Sequence, residues 1–180
     1  MADFALIAQP GFKLIDLSKI IVGDSKGPSE ATVVAVPLPK KTFGVIFGQR
    51  TAGWTQGFNS YLLDSNYLPL EPSALWVADE SDECRAMVTQ IVPPGFAKDP
   101  SVFSVGPFND DRYIAILATH KGPKDSQLVP SDPKFQYHAF TIGSETKPAV
   151  RFTMINAEDG GDSDYHDLVV GVAVVATTKK

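Results

Sequence analysis

A chain of 180 residues with 43% hydrophobic and 21% charged side chains can bury one sizeable core, which excludes a disordered or fibrous protein and points to a single domain over residues 1–180. The formal net charge of -5, with no run of Lys or Arg before Lys179-Lys180, excludes a general nucleic-acid or anionic-membrane surface. The opening stretch lacks a basic region followed by a long apolar one, so neither a secretory signal nor a transmembrane helix is expected, and the single cysteine, Cys84, has no second thiol to bridge.

Gly and Pro punctuate the chain at Pro10-Gly11, Gly27-Pro28, Pro37 to Pro39, Pro93-Pro94-Gly95, Gly106-Pro107, Gly122-Pro123 and Pro130 to Pro133, leaving little room for long helices. Between these breaks, runs rich in β-branched and aromatic residues predict strands. In order they are Thr32 to Val36, Thr42 to Phe47, Phe58 to Leu63, Ala74 to Val77, Ala86 to Val92, Tyr113 to Thr119, Phe135 to Ile142, Val150 to Asn156 and Leu168 to Val175. With no amphipathic helix of 10 to 15 residues between them, the expected fold is all-β, a mostly antiparallel β-sandwich of jelly-roll type. No repeat or linker divides it.

Two of these runs carry further expectations. Val150, Phe152 and Met154 alternate with Arg151 and Thr153, the period of a strand with one buried and one wet face, with the apolar set expected inside. Leu168 to Ala176 is apolar on both faces, so it should be a central strand or lie against another subunit. One of its faces, Val169, Gly171, Ala173 and Val175, is small enough for a second sheet to approach closely.

Between the last two runs, five carboxylates (Glu158, Asp159, Asp162, Asp164 and Asp167) fall within ten residues. Two carboxylates about 4 Å apart repel by roughly 4 kcal/mol at an effective dielectric of about 20, so a loop that gathers several needs a cation. All-oxygen donors favour calcium or magnesium, and calcium accepts the irregular geometry of a loop. Gly160-Gly161 lets the chain curl so that Glu158 reaches the same centre as Asp162, Asp164 and Asp167, the predicted calcium ligands of a loop over 156–167. The spacing fits neither an EF-hand nor a Gly-Gly-x-Gly-x-Asp repeat.

The segment Glu158-Asp-Gly-Gly-Asp-Ser-Asp-Tyr-His-Asp-Leu-Val-Val170 resembles the Glu-Asp-Gly-x-Asp-x-Asp-Tyr-Asn-Asp-x-Val-Val motif of the bacterial calcium-mediated fucose- and mannose-binding lectins. It is also similar to acidic loops of other calcium-binding β-sandwich domains. The resemblance implies that Glu158, Asp162, Asp164 and Asp167 hold one calcium, and that a second, on which sugar hydroxyls are coordinated, would be shared by Asp164, His166 and Asp167. His166 stands where the family has Asn, whose amide oxygen is the harder ligand, and the chain runs thirteen residues past Asp167 where the family ends in Gly about ten residues after the motif, so one calcium is expected. The resemblance implies carbohydrate as partner and a homodimer through the last strand. A structural or assembly protein stapled by calcium, without sugar, is the alternative. A loop site of this kind can be weak, with dissociation constants of about 10⁻⁴ to 10⁻³ M, which favours extracellular exposure.

The remaining candidates are weaker. The acidic run Asp79 to Glu83 lacks glycine and reads as a solvated turn, and Asn109-Asp110-Asp111 is a remote source of one oxygen ligand. Trp54, between Gly53 and Thr55-Gln56-Gly57, is the aromatic better suited to exposure and to stacking on a sugar; Trp76 reads as core. His120 and His138 have no sequence neighbour that suggests a nucleophile and its base, so no enzyme is expected.

Overall fold

The computed structural model describes residues 20–22, 33–79, 83–93, 100–126, 128–140, 150–160 and 164–177. Twelve strands and no helix are found there: β1 (Ile20–Val22), β2 (Val33–Leu38), β3 (Thr42–Arg50), β4 (Thr55–Leu63), β5 (Pro69–Ala78), β6 (Met87–Val92), β7 (Phe103–Val105), β8 (Arg112–Lys121), β9 (Val129–Pro130), β10 (Asp132–Phe140), β11 (Val150–Glu158) and β12 (Leu168–Ala176). They form two sheets, one in the order β1-β2-β8-β4-β5-β6 with β9 alongside β8, the other in the order β10-β11-β12-β3-β7. Every pairing is antiparallel except β1 with β2. The chain is an all-β sandwich. No described helix is long and apolar enough to cross a membrane.

The core lies between the sheets. Phe58, Trp76, Ile114 and Ile116 of the larger sheet meet Ile46, Ile155, Val170 and Val172 of the smaller one, each at most 2% exposed. Complete burial of such side chains is worth about 1.5–3 kcal/mol apiece. Trp76 is wholly buried, stacks on Phe58 with ring centroids 4.9 Å apart, and donates its indole N–H to Ser60 Oγ at 3.0 Å, so the polar atom it carries inside is satisfied. A second cluster, Val33, Tyr61, Leu63, Ala115 and Leu117, is buried on the opposite face of β4 and β8. Burial on both faces explains why β8 reads as a nearly unbroken apolar run rather than an alternating one.

β12 is the middle strand of the five-stranded sheet, as its two apolar faces require. Leu168, Val170, Val172 and Val174 point into the core. Its small face carries two aromatic neighbours. The rings of Phe47 on β3 and Phe152 on β11 stack 5.9 Å apart, and a Cβ added to Gly171 would come within 2.4 Å of Phe47 Cζ and 3.0 Å of Phe152 Cζ. Glycine there makes room for two neighbouring side chains.

β11 reverses the expected assignment of its faces. Thr153, Ile155 and Ala157 are buried, opposite Val172, Val170 and Leu168, whereas Val150, Phe152 and Met154 are half-buried on the outer face. The outer face of this sheet is itself apolar, with Phe43 and Phe47 38% and 39% exposed, so alternation on β11 did not distinguish inside from outside.

Candidate metal centre

The acidic loop leaves β11 at Glu158 and re-enters the sheet at Leu168. Gly160 has φ +109°, a conformation that favours glycine, and Tyr165 also turns left-handed at φ +55°. These two reversals fold the loop over the strand end. Glu158 is 5% exposed and its two oxygens accept the N–H groups of Gly160 (3.2 Å) and Tyr165 (3.1 Å). Asp167 Oδ2 accepts the N–H of Asp159 at 2.7 Å, and the Asp167 N–H returns to the Ala157 carbonyl at 3.2 Å. Lys134 on β10 sets its ammonium 3.5 Å over the Tyr165 ring.

The loop therefore brings the carboxylates of Glu158, Asp159 and Asp167 together, one oxygen from each lying within 4.8 Å of the others. Burial, with Asp159 and Glu158 close by, pushes the Asp167 carboxyl up to about 6. The donors fit a hard divalent cation: three carboxylates, and beside them the amide of Gln56. Gln56 donates through Nε2 to Asp159 Oδ2 at 2.7 Å, while its Oε1 is buried without a hydrogen-bond partner.

Of the four ligands expected from sequence, Glu158 and Asp167 meet. Asp162, with Gly161 and Ser163, lies outside the described residues. Asp164 is exposed; its Oδ1 accepts the His166 N–H at 3.0 Å, and its Oδ2 sits 3.7 Å from His166 Nδ1. Asp159 joins Glu158 and Asp167: a strict strand alternation would turn it away from Glu158, but β11 ends at Glu158 and frees the next residue. Gln56 carries no signal at all in the sequence, being 103 residues from its partner.

A second loop is built against the first. The Asp167 carbonyl accepts the N–H groups of Thr51 (2.9 Å) and Ala52 (3.3 Å), tying the β3–β4 connection to the acidic loop. Arg50, 6% exposed, donates through Nη1 to the carbonyls of Gly53 and Trp54, each at 3.4 Å. Trp54 itself is 37% exposed and tilts against His120, ring centroids 5.9 Å apart. His120 Nδ1 lies 2.9 Å from Ser131 Oγ, a serine–histidine contact that the sequence did not suggest. Ser131 is buried at 3% exposure, so the contact orients the imidazole rather than presenting a nucleophile.

The remaining candidates fall elsewhere. Asn109, Asp110 and Asp111 are at the far end of the sandwich, where Asn109 accepts from Lys41 Nζ, Asp110 pairs with Arg112 at 2.9 Å and Asp111 accepts the Lys40 N–H at 2.8 Å, so they supply no ligand to the acidic loop. Residues 80–82 and the His138 side chain lie outside the described residues. Cys84 Sγ is 3.6 Å from Arg50 Nη2 and its thiol is free.

No protein-family model and no curated protein matches the sequence. Among solved structures, the chain is similar to a high-affinity mannose-binding lectin of Ralstonia solanacearum, with a TM-score of 0.43 and 19% identity over 77% of this chain and 93% of that one. The C-terminal domain of a Burkholderia cenocepacia lectin gives 0.43 and 19% over 77% and 92%, and a Chromobacterium violaceum lectin in complex with alpha-methyl-fucoside gives 0.43 and 15% over 77% and 93%. Likeness of this degree carries no argument about function.

Proposed function

We propose that this protein binds carbohydrate through a calcium ion seated in the acidic loop. The observation that carries the reading is the convergence of Glu158, Asp159 and Asp167 within 4.8 Å in a loop whose sequence resembles the calcium motif of sugar-binding lectins. Asp162 and Asp164 complete the proposed ligand set, in keeping with the seven or so oxygens that calcium takes. Calcium bound here supplies hard coordination positions for vicinal sugar hydroxyls. Glu158 and Asp167 hold their carboxylates through backbone N–H groups, and Gln56 orients Asp159 from the opposite sheet.

The proposed assembly is a homodimer packed through the outer face of β3, β11 and β12, where Phe43 and Phe47 are exposed. Calorimetry and a glycan array, each with and without chelator, test the function. About one calcium per chain and a glycan signal abolished by chelator are expected. Because the ion binds only the folded state, a calcium concentration about a hundredfold over its dissociation constant should add about 2.7 kcal/mol of stability, raising the melting temperature by roughly 5–10 °C. Calcium binding with no glycan signal would leave calcium as a staple alone; no heat and no thermal shift at millimolar calcium would remove both roles.

A further inference from the structure

We propose that Trp54 is the sugar platform of this site, stacking on the apolar C–H face of a hexopyranose whose hydroxyls meet the cation. This rests on the calcium-lectin reading above and adds the residue that would choose among sugars. A pyranose has two kinds of surface, a hydroxyl edge that suits hard cations and a patch of axial C–H groups that suits an aromatic face. The acidic loop offers the first, and among its described residues the one aromatic ring, Tyr165, is already capped by the Lys134 ammonium. Trp54 offers the second.

Its placement is built. Arg50 holds the Gly53 and Trp54 carbonyls, and the Thr51 and Ala52 N–H groups are fastened to the Asp167 carbonyl, so the residues leading into Trp54 are tied to the loop that carries the cluster. Two residues on, Gln56 donates to Asp159. In sequence Trp54 therefore lies between two anchors on the acidic loop, the Asp167 backbone carbonyl and the Asp159 carboxylate. On its inner side it rests on the end of β8. A Cβ at Gly122 would lie 3.1 Å from Cζ3 and 3.2 Å from Cε3, close enough that glycine is what lets the six-membered ring settle there, with His120 tilted beside it. His120 is fixed in turn by Ser131. A tryptophan that served only as core would be covered as Trp76 is; Trp54 keeps 37% of its surface in solvent while its backbone and inner edge are restrained. Restraint before binding lowers the entropy lost on stacking.

The test uses the full chain with saturating calcium, and methyl glycosides of fucose, mannose and galactose as probes. Trp76 is wholly buried, so sugar-dependent changes in tryptophan emission and protection from acrylamide quenching report Trp54. The expected result is protection of the intrinsic fluorescence by the best-bound glycoside and about tenfold weaker affinity in Trp54→Ala, the scale of one lost ring stack. Trp54→Phe should recover affinity to within about threefold. Calcium affinity, measured separately by calorimetry, should be unchanged in both variants, which shows that the loop has kept its shape. If the unmodified protein binds glycosides in a calcium-dependent way but Trp54→Ala binds them equally well, or the quenching is unaffected by sugar, the platform is overturned while the lectin reading stands. If the unmodified protein binds none of the glycosides, both fall together.

Discussion

Asp167 serves both loops at once: its carbonyl anchors Thr51 and Ala52, its N–H closes the base of the acidic loop, and its carboxylate joins Glu158 and Asp159. Truncating the side chain removes only the last of these. Asp167→Ala should therefore cost at least about tenfold in calcium affinity while the sandwich stays folded, and Glu158→Ala should do the same. Asp110→Ala, at the far end and engaged by Arg112, should leave calcium titration by calorimetry unchanged. Equal losses from Asp110 and Asp167 would place the ion elsewhere. The same carboxyl makes a pH prediction. Raised from 3.8 to about 6 in the folded protein, chiefly by burial, it holds a proton between those values that the unfolded chain has lost. Its contribution to stability therefore falls as pH rises through that window. In chelated protein, the melting temperature of Asp167→Asn relative to the unmodified chain should rise from pH 4 to pH 7. Calcium, which needs the carboxylate ionised, should produce a thermal shift that grows over the same range.

At the level of elements, all nine predicted strands exist, because β-branched and aromatic runs between Gly and Pro leave the chain few alternatives. The three that escaped are short: β1 and β7 have three residues and β9 two, too few for a period to show. What could not be read was which face of β11 is inside, since both faces carry apolar side chains and only pairing with β12 decides. The site was half legible for a related reason. Glu158 and Asp167 belong to one local loop, whereas Gln56, Thr51 and Ala52 come to it from the β3–β4 connection, a relation that exists only once the sheets have paired. The strands also differ in their tolerance of added volume. A Cβ on Gly48 would meet Phe58 Cε1 at 2.6 Å inside the core, but one on Gly171 meets the ring tip of Phe47, which is 39% exposed. Gly48→Ala should cost about 2–3 kcal/mol in urea unfolding, as overpacking does, and Gly171→Ala about 1 kcal/mol or less, because Phe47 can swing outward. A larger cost at Gly171 would mean that Phe47 is held more tightly than its exposure indicates.

On the scale of the whole molecule, the smaller sheet presents Phe43, Phe47, Phe152, Met154, Val169 and Ala173 on its outer face. If this face is the dimer contact proposed above, Ala173→Glu places a charge in it and should yield monomers by light scattering at micromolar protein, with calcium affinity retained. A monomeric unmodified protein under those conditions would leave the face to solvent. The topology has a further consequence, one of timing. The middle strand of this sheet, Leu168–Ala176, pairs on one side with Thr42–Arg50, which leaves the ribosome more than a hundred residues earlier. Until residue 176 has emerged, β3 has β7 and the Cys84–Ala86 backbone along one edge and no partner along the other. Loop closure over such a separation is slow, and folding dominated by non-local pairing runs in milliseconds to seconds. The half-made sandwich must therefore survive synthesis with one edge of β3 unpaired, and a nascent chain halted before residue 168 should be engaged by chaperones and cut by protease across residues 42–50, with protection appearing only once β12 is released.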